Sequence, residues 1–125
     1  MYFGIYDGLK WEDVNKINPK INDLHIKTNE IMCIPNQETT EQVAERMYYF
    51  IEKISKENIG KTILICSHGV AIEAFLRKIT KIPFVKQIEE YSQKNTSINI
   101  LEYDENKGFE VLVINDKSHI ESENI

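Results

Sequence analysis

The sequence predicts an α/β domain with parallel strand pairing, from three observations. An amphipathic helix pattern in residues 39–57 leads directly into a five-residue apolar run at 62–66. That run turns a corner at Ser67-His68-Gly69 into a second helix pattern, and an alternating segment near the C-terminus folds back on itself. Helix, fully apolar strand, corner and helix in succession is the order of a parallel unit covered on both faces.

The first element spans Trp11 to about Ile17. It follows the turn-forming pair Asp7-Gly8 and stops before Asn18-Pro19, because the residue ahead of a proline disfavours the helical conformation. Trp11, Val14 and Ile17 share one face at helical spacing. Residues 18–37 show no clean period and read as loop with some helical content. Thr39 and Gln42 stand at the spacing of a capping box, in which each side chain satisfies an orphan N–H. Val43, Met47, Phe50, Ile51 and Ile54 then repeat at helical intervals, and Gly60 suits a left-handed stop.

Thr62-Ile63-Leu64-Ile65-Cys66 is uncharged and largely β-branched, the pattern of a strand buried on both faces. Val70 to Ile79 follows as a helix with Ala71, Phe75 and Ile79 on one face. Phe84 to Tyr91 reads as a further helical segment opened by Pro83. Ser97 to Tyr103 alternates, Asp104 to Gly108 turns and Phe109 to Ile114 returns, a β-hairpin. The polar tail from Asn115 is expected to fray, most of all from about residue 117. No repeat or linker interrupts the chain, so a single domain over 1–125 is expected.

With 125 residues the chain can bury roughly two-thirds of its unfolded surface, enough for one core. Its net charge of −5 and lack of a basic stripe argue against a nucleic-acid partner. No apolar run reaches the roughly 18 residues of a membrane span. No secretory leader pattern is visible, so a cytoplasmic location is expected. Cys33 and Cys66 form no C-x-x-C and read as two buried, reduced thiols.

Chemistry is legible only at residues 62–71. The first amides of the helix after His68 lack intrahelical acceptors and, with the helix dipole, form an anion site. Gly69 has no Cβ to keep an anion from the backbone. His68 then stands where it can donate a hydrogen bond to a phosphate. Other readings fail on spacing. A cysteine phosphatase loop would need an arginine where Ile72 stands, and a nucleophile elbow would need a glycine at Ile65. His25, Cys33 and His119 have no metal-binding spacing, and no metal or cofactor is expected. On the corner alone, a histidine with a purely structural role accounts for the residues equally well. Glu38 and Arg46 read first as helix-associated structural charges, Phe3, Tyr6 and Trp11 as core, His119 as solvated or capping. Tyr48 and Tyr49 divide between core and surface.

Several segments together resemble one family. Phe3-Gly4-Ile5-Tyr6-Asp7-Gly8 is similar to the F-G-x-W/Y-x-G segment of histidine phosphatases, the phosphoglycerate-mutase-like superfamily. Gln37-Glu38-Thr39 with Arg46 looks like its G-E-S/T element and downstream arginine. Ile63 to Gly69 is similar to its apolar strand ending in S-H-G. Asn95-Thr96-Ser97-Ile98 and Asn115-Asp116-x-x-His119 resemble the end of small phosphatases of the α-ribazole phosphatase type.

The resemblance implies the C-terminal portion of a three-layer α/β/α sandwich that lacks the family's first strand. It implies phosphoryl transfer on small phosphomonoesters through a phosphohistidine, without a metal. His68 matches the histidine that stabilises the phosphoryl oxygens, and Gly69 and Val70 match the phosphate-facing backbone. The family's nucleophile lies in an R-H-G motif, and none is present: His25, His68 and His119 follow Leu24, Ser67 and Ser118. The general acid and the clamping arginines are expected ahead of Met1. The chain is therefore expected to be inactive alone, with a small phosphorylated metabolite or inorganic phosphate as ligand. An apolar edge beside residues 62–66 should recruit either a second copy, as a homodimer, or a complementing N-terminal fragment. The alternative is a non-catalytic, self-associating module on the same scaffold.

Overall fold

A computed structural model describes residues 2–21, 34–82 and 92–121. They fall into two compact units, Met1–Val43 and Ala44–Ile125. The expected helix at 84–91, His25 and Cys33 lie outside the described residues.

In the first unit, a short 3-10 turn at Gly4–Tyr6 precedes helix α1 (Trp11–Ile17). Phe3 forms an isolated antiparallel bridge with Gln37, and Ile5 donates its amide to the Pro35 carbonyl at 3.2 Å. Gly4 makes this approach possible. It is buried, has φ of 61°, and a Cβ there would overlap the Pro35 carbonyl and stand 2.7 Å from the Gln37 nitrogen. The Glu38 amide donates to the Tyr2 carbonyl, and the Tyr2 amide donates to Glu38 Oε2. Val14, Ile21 and Val43 are the buried aliphatic residues. The expected face of α1 is narrower than its spacing suggests. Only Val14 is buried, while Trp11 and Ile17, at the two helix ends, are exposed. Phe3 is exposed and Tyr6 half-buried, so the aromatic residues expected in the core sit at its rim.

Helix α2 (Thr40–Glu57) starts at the expected capping box. The Thr39 amide donates to Gln42 Oε1 at 2.8 Å and the Gln42 amide donates to Thr39 Oγ1 at 3.1 Å. Gly60, at φ of 76°, follows its end.

In the second unit, α2 packs through Ala44, Tyr48 and Ile51, and Phe50 is exposed instead of buried. The aromatic cluster explains the rotation. Tyr48 meets Phe109 edge-on at 5.8 Å, and Phe109 meets Phe75 edge-on at 5.3 Å, so Tyr48 takes the inward position. Tyr49 is exposed. Lys78 lies 5.1 Å from the Tyr48 ring centroid and pairs with Glu45 at 2.6 Å. Helix α3 (Gly69–Thr80) buries Ala71, Ala74, Phe75 and Leu76, while Ile79 is half-buried. It stops at Lys81, a left-handed residue whose amide donates to the Arg77 carbonyl.

Strands β1 (Ile98–Asp104) and β2 (Gly108–Asp116) form the antiparallel hairpin. Asp104 Oδ1 closes its turn by accepting the amides of Asn106 and Lys107. The polar tail folds further than its composition suggests. Asn115 and Asp116 complete β2, and Ser118–Glu121 form a helical turn, α4, on which Asp116 accepts the Ser118 amide at 2.9 Å.

The architecture is thus mixed helix and strand, but residues 62–66 depart from the sequence reading. They belong to no ladder, and Ile63, Leu64 and Ile65 are 38%, 96% and 39% exposed. Among the described residues β1 and β2 form the only multi-residue ladder, and it is antiparallel. The apolar run encodes burial against neighbours that the described residues do not supply. Cys66, on the same run, is likewise an exposed thiol rather than a buried one. Among the described residues no helix is long and apolar enough to cross a membrane.

Candidate functional site

The corner after residue 66 is built by the start of α3. His68 is its N-cap residue, with extended backbone at φ −113° and ψ 153°, and its carbonyl accepts the Ile72 amide at 3.0 Å. Serine, aspartate or asparagine is the usual choice at this position, because such a side chain caps a free amide. The imidazole makes no capping bond and is exposed. The first-turn amides, from Gly69 onward, therefore point outward without intrahelical acceptors. The first turn carries no acidic residue and the last carries Arg77 and Lys78, so no side chain within the first turn neutralises the positive end of the dipole.

Nothing in the fold requires glycine at residue 69. A Cβ there would meet Gln93 Cβ at 3.9 Å and Glu73 Oε1 at 4.0 Å, ordinary contact distances. What the missing side chain leaves open is the approach to the amides of Gly69 and Val70, both exposed. The structure thus brings His68, Gly69 and Val70 together at one accessible corner.

Two further residues border it that sequence reasoning missed. Glu73, one turn beyond Gly69 on the same helix face, accepts the Gln93 amide at 2.8 Å through Oε1. Partial burial raises its carboxyl above the ordinary 4.5, and the Gln93 amide draws it the other way. The four-residue spacing from Gly69 was the available signal for Glu73. Gln93 carried none, because its place depends on β1 and β2.

Glu38 and the aromatic residues Phe3, Tyr6 and Trp11 belong to Met1–Val43. Arg46 is exposed on α2, and His119 is exposed on α4. Among the described residues no three of His, Cys, Asp or Glu cluster as metal ligands.

The solved structure of Bacillus stearothermophilus YhfR superposes with a TM-score of 0.82 at 24% identity, over 95% of this chain. The chain spans 58% of that structure's length, so the likeness establishes a shared fold over a little more than half of it. No curated protein sequence matches the chain. The family model of the histidine phosphatase superfamily (branch 1) matches residues 1–117. The chain therefore belongs to the histidine phosphatase superfamily.

Proposed function

We propose that these residues form the phosphate-holding part of a histidine phosphatase site acting on a small phosphomonoester. His68 donates to the phosphoryl oxygens and stabilises charge that develops there. The amides of Gly69 and Val70 receive another oxygen. The observation that carries this reading is the uncapped start of α3: an exposed imidazole beside free amides, with glycine where the backbone has to be approached. Residues 1–125 contain no Arg-His-Gly, so the nucleophile comes from outside them, from more of the same polypeptide or from another. Without a nucleophile the covalent route is closed, and these residues alone bind phosphate without turning over an ester. No metal or cofactor takes part in this reading. A cytoplasmic protein fits it.

Titration of the isotope-labelled chain with inorganic phosphate tests the site. Shifts at the Gly69 and Val70 amides, lost in His68→Ala, are expected. A labelled phosphodonor should leave no covalent phosphate on the chain, and label on His68 would overturn the assignment of roles.

A second reading has its own observation. Leu64 is almost fully exposed between two partly exposed isoleucines, and Ile98, Ile100 and Leu112 are exposed on the hairpin. An unpaired, exposed apolar segment can accept a strand. On this reading the chain self-associates and has no catalytic role. A concentration-dependent dimer unaffected by His68→Ala and broken by Leu64→Lys would favour it. A chain that remains monomeric at high concentration would count against it.

A further inference from the structure

The side of the corner next to Gly69 is bordered by a chain of hydrogen bonds that runs from helix α3 to the hairpin. Glu73 Oε1 accepts the Gln93 amide at 2.8 Å. Gln93 Oε1 in turn accepts Ser97 Oγ at 3.1 Å and Asn99 Nδ2 at 2.7 Å. Asn99 Oδ1 accepts the Asn115 amide at 3.0 Å, and Asn115 Oδ1 accepts the Lys94 amide at 2.9 Å. Residues 93–97 are thereby tied to β1, to β2 and, through Glu73 alone among these bonds, to α3. Gln93 is also the residue that a side chain at position 69 would touch first.

We propose that Glu73 is a positioning residue of the His68 site. As a hydrogen-bond acceptor it fixes Gln93, and with it residues 93–97, as the wall against which a phosphoryl group on the Gly69 and Val70 amides is held. This inference rests on the phosphate site proposed above. The charge of Glu73 cannot be its contribution, since a negative group one turn from a bound anion repels it. Geometry is what remains. Glu73 spans the gap from the helix to the 93–97 segment by accepting the Gln93 amide, and a half-buried carboxylate is a costly way to do so unless that segment's position matters.

Two neutral variants separate position from charge. Glu73→Gln keeps an acceptor at the same reach, whereas Glu73→Ala removes it. Inorganic phosphate is titrated into each full chain and followed at the Gly69 and Val70 amides. Glu73→Gln is expected to bind at least as tightly as the parent, and Glu73→Ala about 10-fold more weakly than Glu73→Gln, in keeping with the loss of one hydrogen bond to a charged or polar acceptor. Equal affinities in the two variants, with only the melting temperature of Glu73→Ala reduced, would assign Glu73 a purely structural role and overturn the inference. A parent chain with no phosphate-dependent shift at these amides would overturn the underlying site reading as well, so the two failures are distinguishable. If Glu73→Ala does not fold, Gln93→Ala decides. It keeps the amide bound by Glu73 but frees Ser97 and Asn99, and is expected to weaken phosphate several-fold; unchanged affinity would overturn the proposal.

Discussion

The backbone of Gly4 lies flush against the Pro35 carbonyl, with no room between them for a methyl group. The close approach lets Phe3 bridge Gln37 and brings Tyr2 to Glu38. The glycine of the F-G-x-Y segment is therefore a packing requirement of the unit Met1–Val43. Gly4→Ala combines a backbone clash with a left-handed φ and is expected to destabilise that unit by more than about 2 kcal/mol. Trp11, the chain's one tryptophan, lies in the same unit and reports it. Its fluorescence transition in urea should move to lower denaturant, and an unchanged transition would refute the packing account.

Thr39 and Gln42 satisfy each other's amides at the start of α2. Thr39→Ala and Gln42→Ala should each cost about 1 kcal/mol, seen as a lower urea midpoint with an unchanged slope. The two bonds are in contact, so the double variant should depart from the sum of the single ones.

Gly69→Ala should leave the fold alone and damage the site. The added methyl meets only ordinary contacts, and alanine favours a helix more than glycine does, so stability should hold or rise slightly. Phosphate affinity at the Gly69 and Val70 amides should fall by about 10-fold or more, the scale of one lost close contact. Thermal melts and a phosphate titration on the same sample check both halves. Unimpaired binding would mean that no ligand approaches the backbone there.

Two carboxylates predict opposite pH dependences. Burial raises the Glu73 carboxyl, so the folded chain holds that proton more tightly than the unfolded one. Its contribution is fullest below the ordinary value of 4.5 and declines as pH rises through the raised folded value. The difference in stability between the parent and Glu73→Gln, measured from pH 4 upward, should show this decline. Asp116 runs the other way. The Ser118 amide, then its hydroxyl, lower the Asp116 carboxyl. Its support of α4 is present above the ordinary 3.8 and lost as pH falls through the depressed folded value. Asp116→Asn should abolish that acid dependence in the backbone resonances of Ser118–Glu121.

Local pattern was enough to find much of this protein. The capping box at Thr39 and Gln42, the helix from Gly69, the hairpin turning at Asp104 and the corner at His68 rest on contacts within a few residues, so spacing alone betrays them. The orientation of those elements was not legible in the same way. Phe50 and Tyr48 both fit an apolar stripe on α2, and the inward one was chosen by Phe75 and Phe109, which are far away in sequence.

The apolar run at 62–66 shows the same division from the other side. Its composition records an environment of neighbouring strands, yet exposure depends on which neighbours are there, and among the described residues Leu64 has none to cover it. What the sequence by itself determined was the order of the elements and the histidine at the mouth of α3. Only the tertiary structure decided that Glu73 and Gln93 stand beside that mouth, because hydrogen bonds between a helix and a loop twenty residues away leave no periodic trace in the chain.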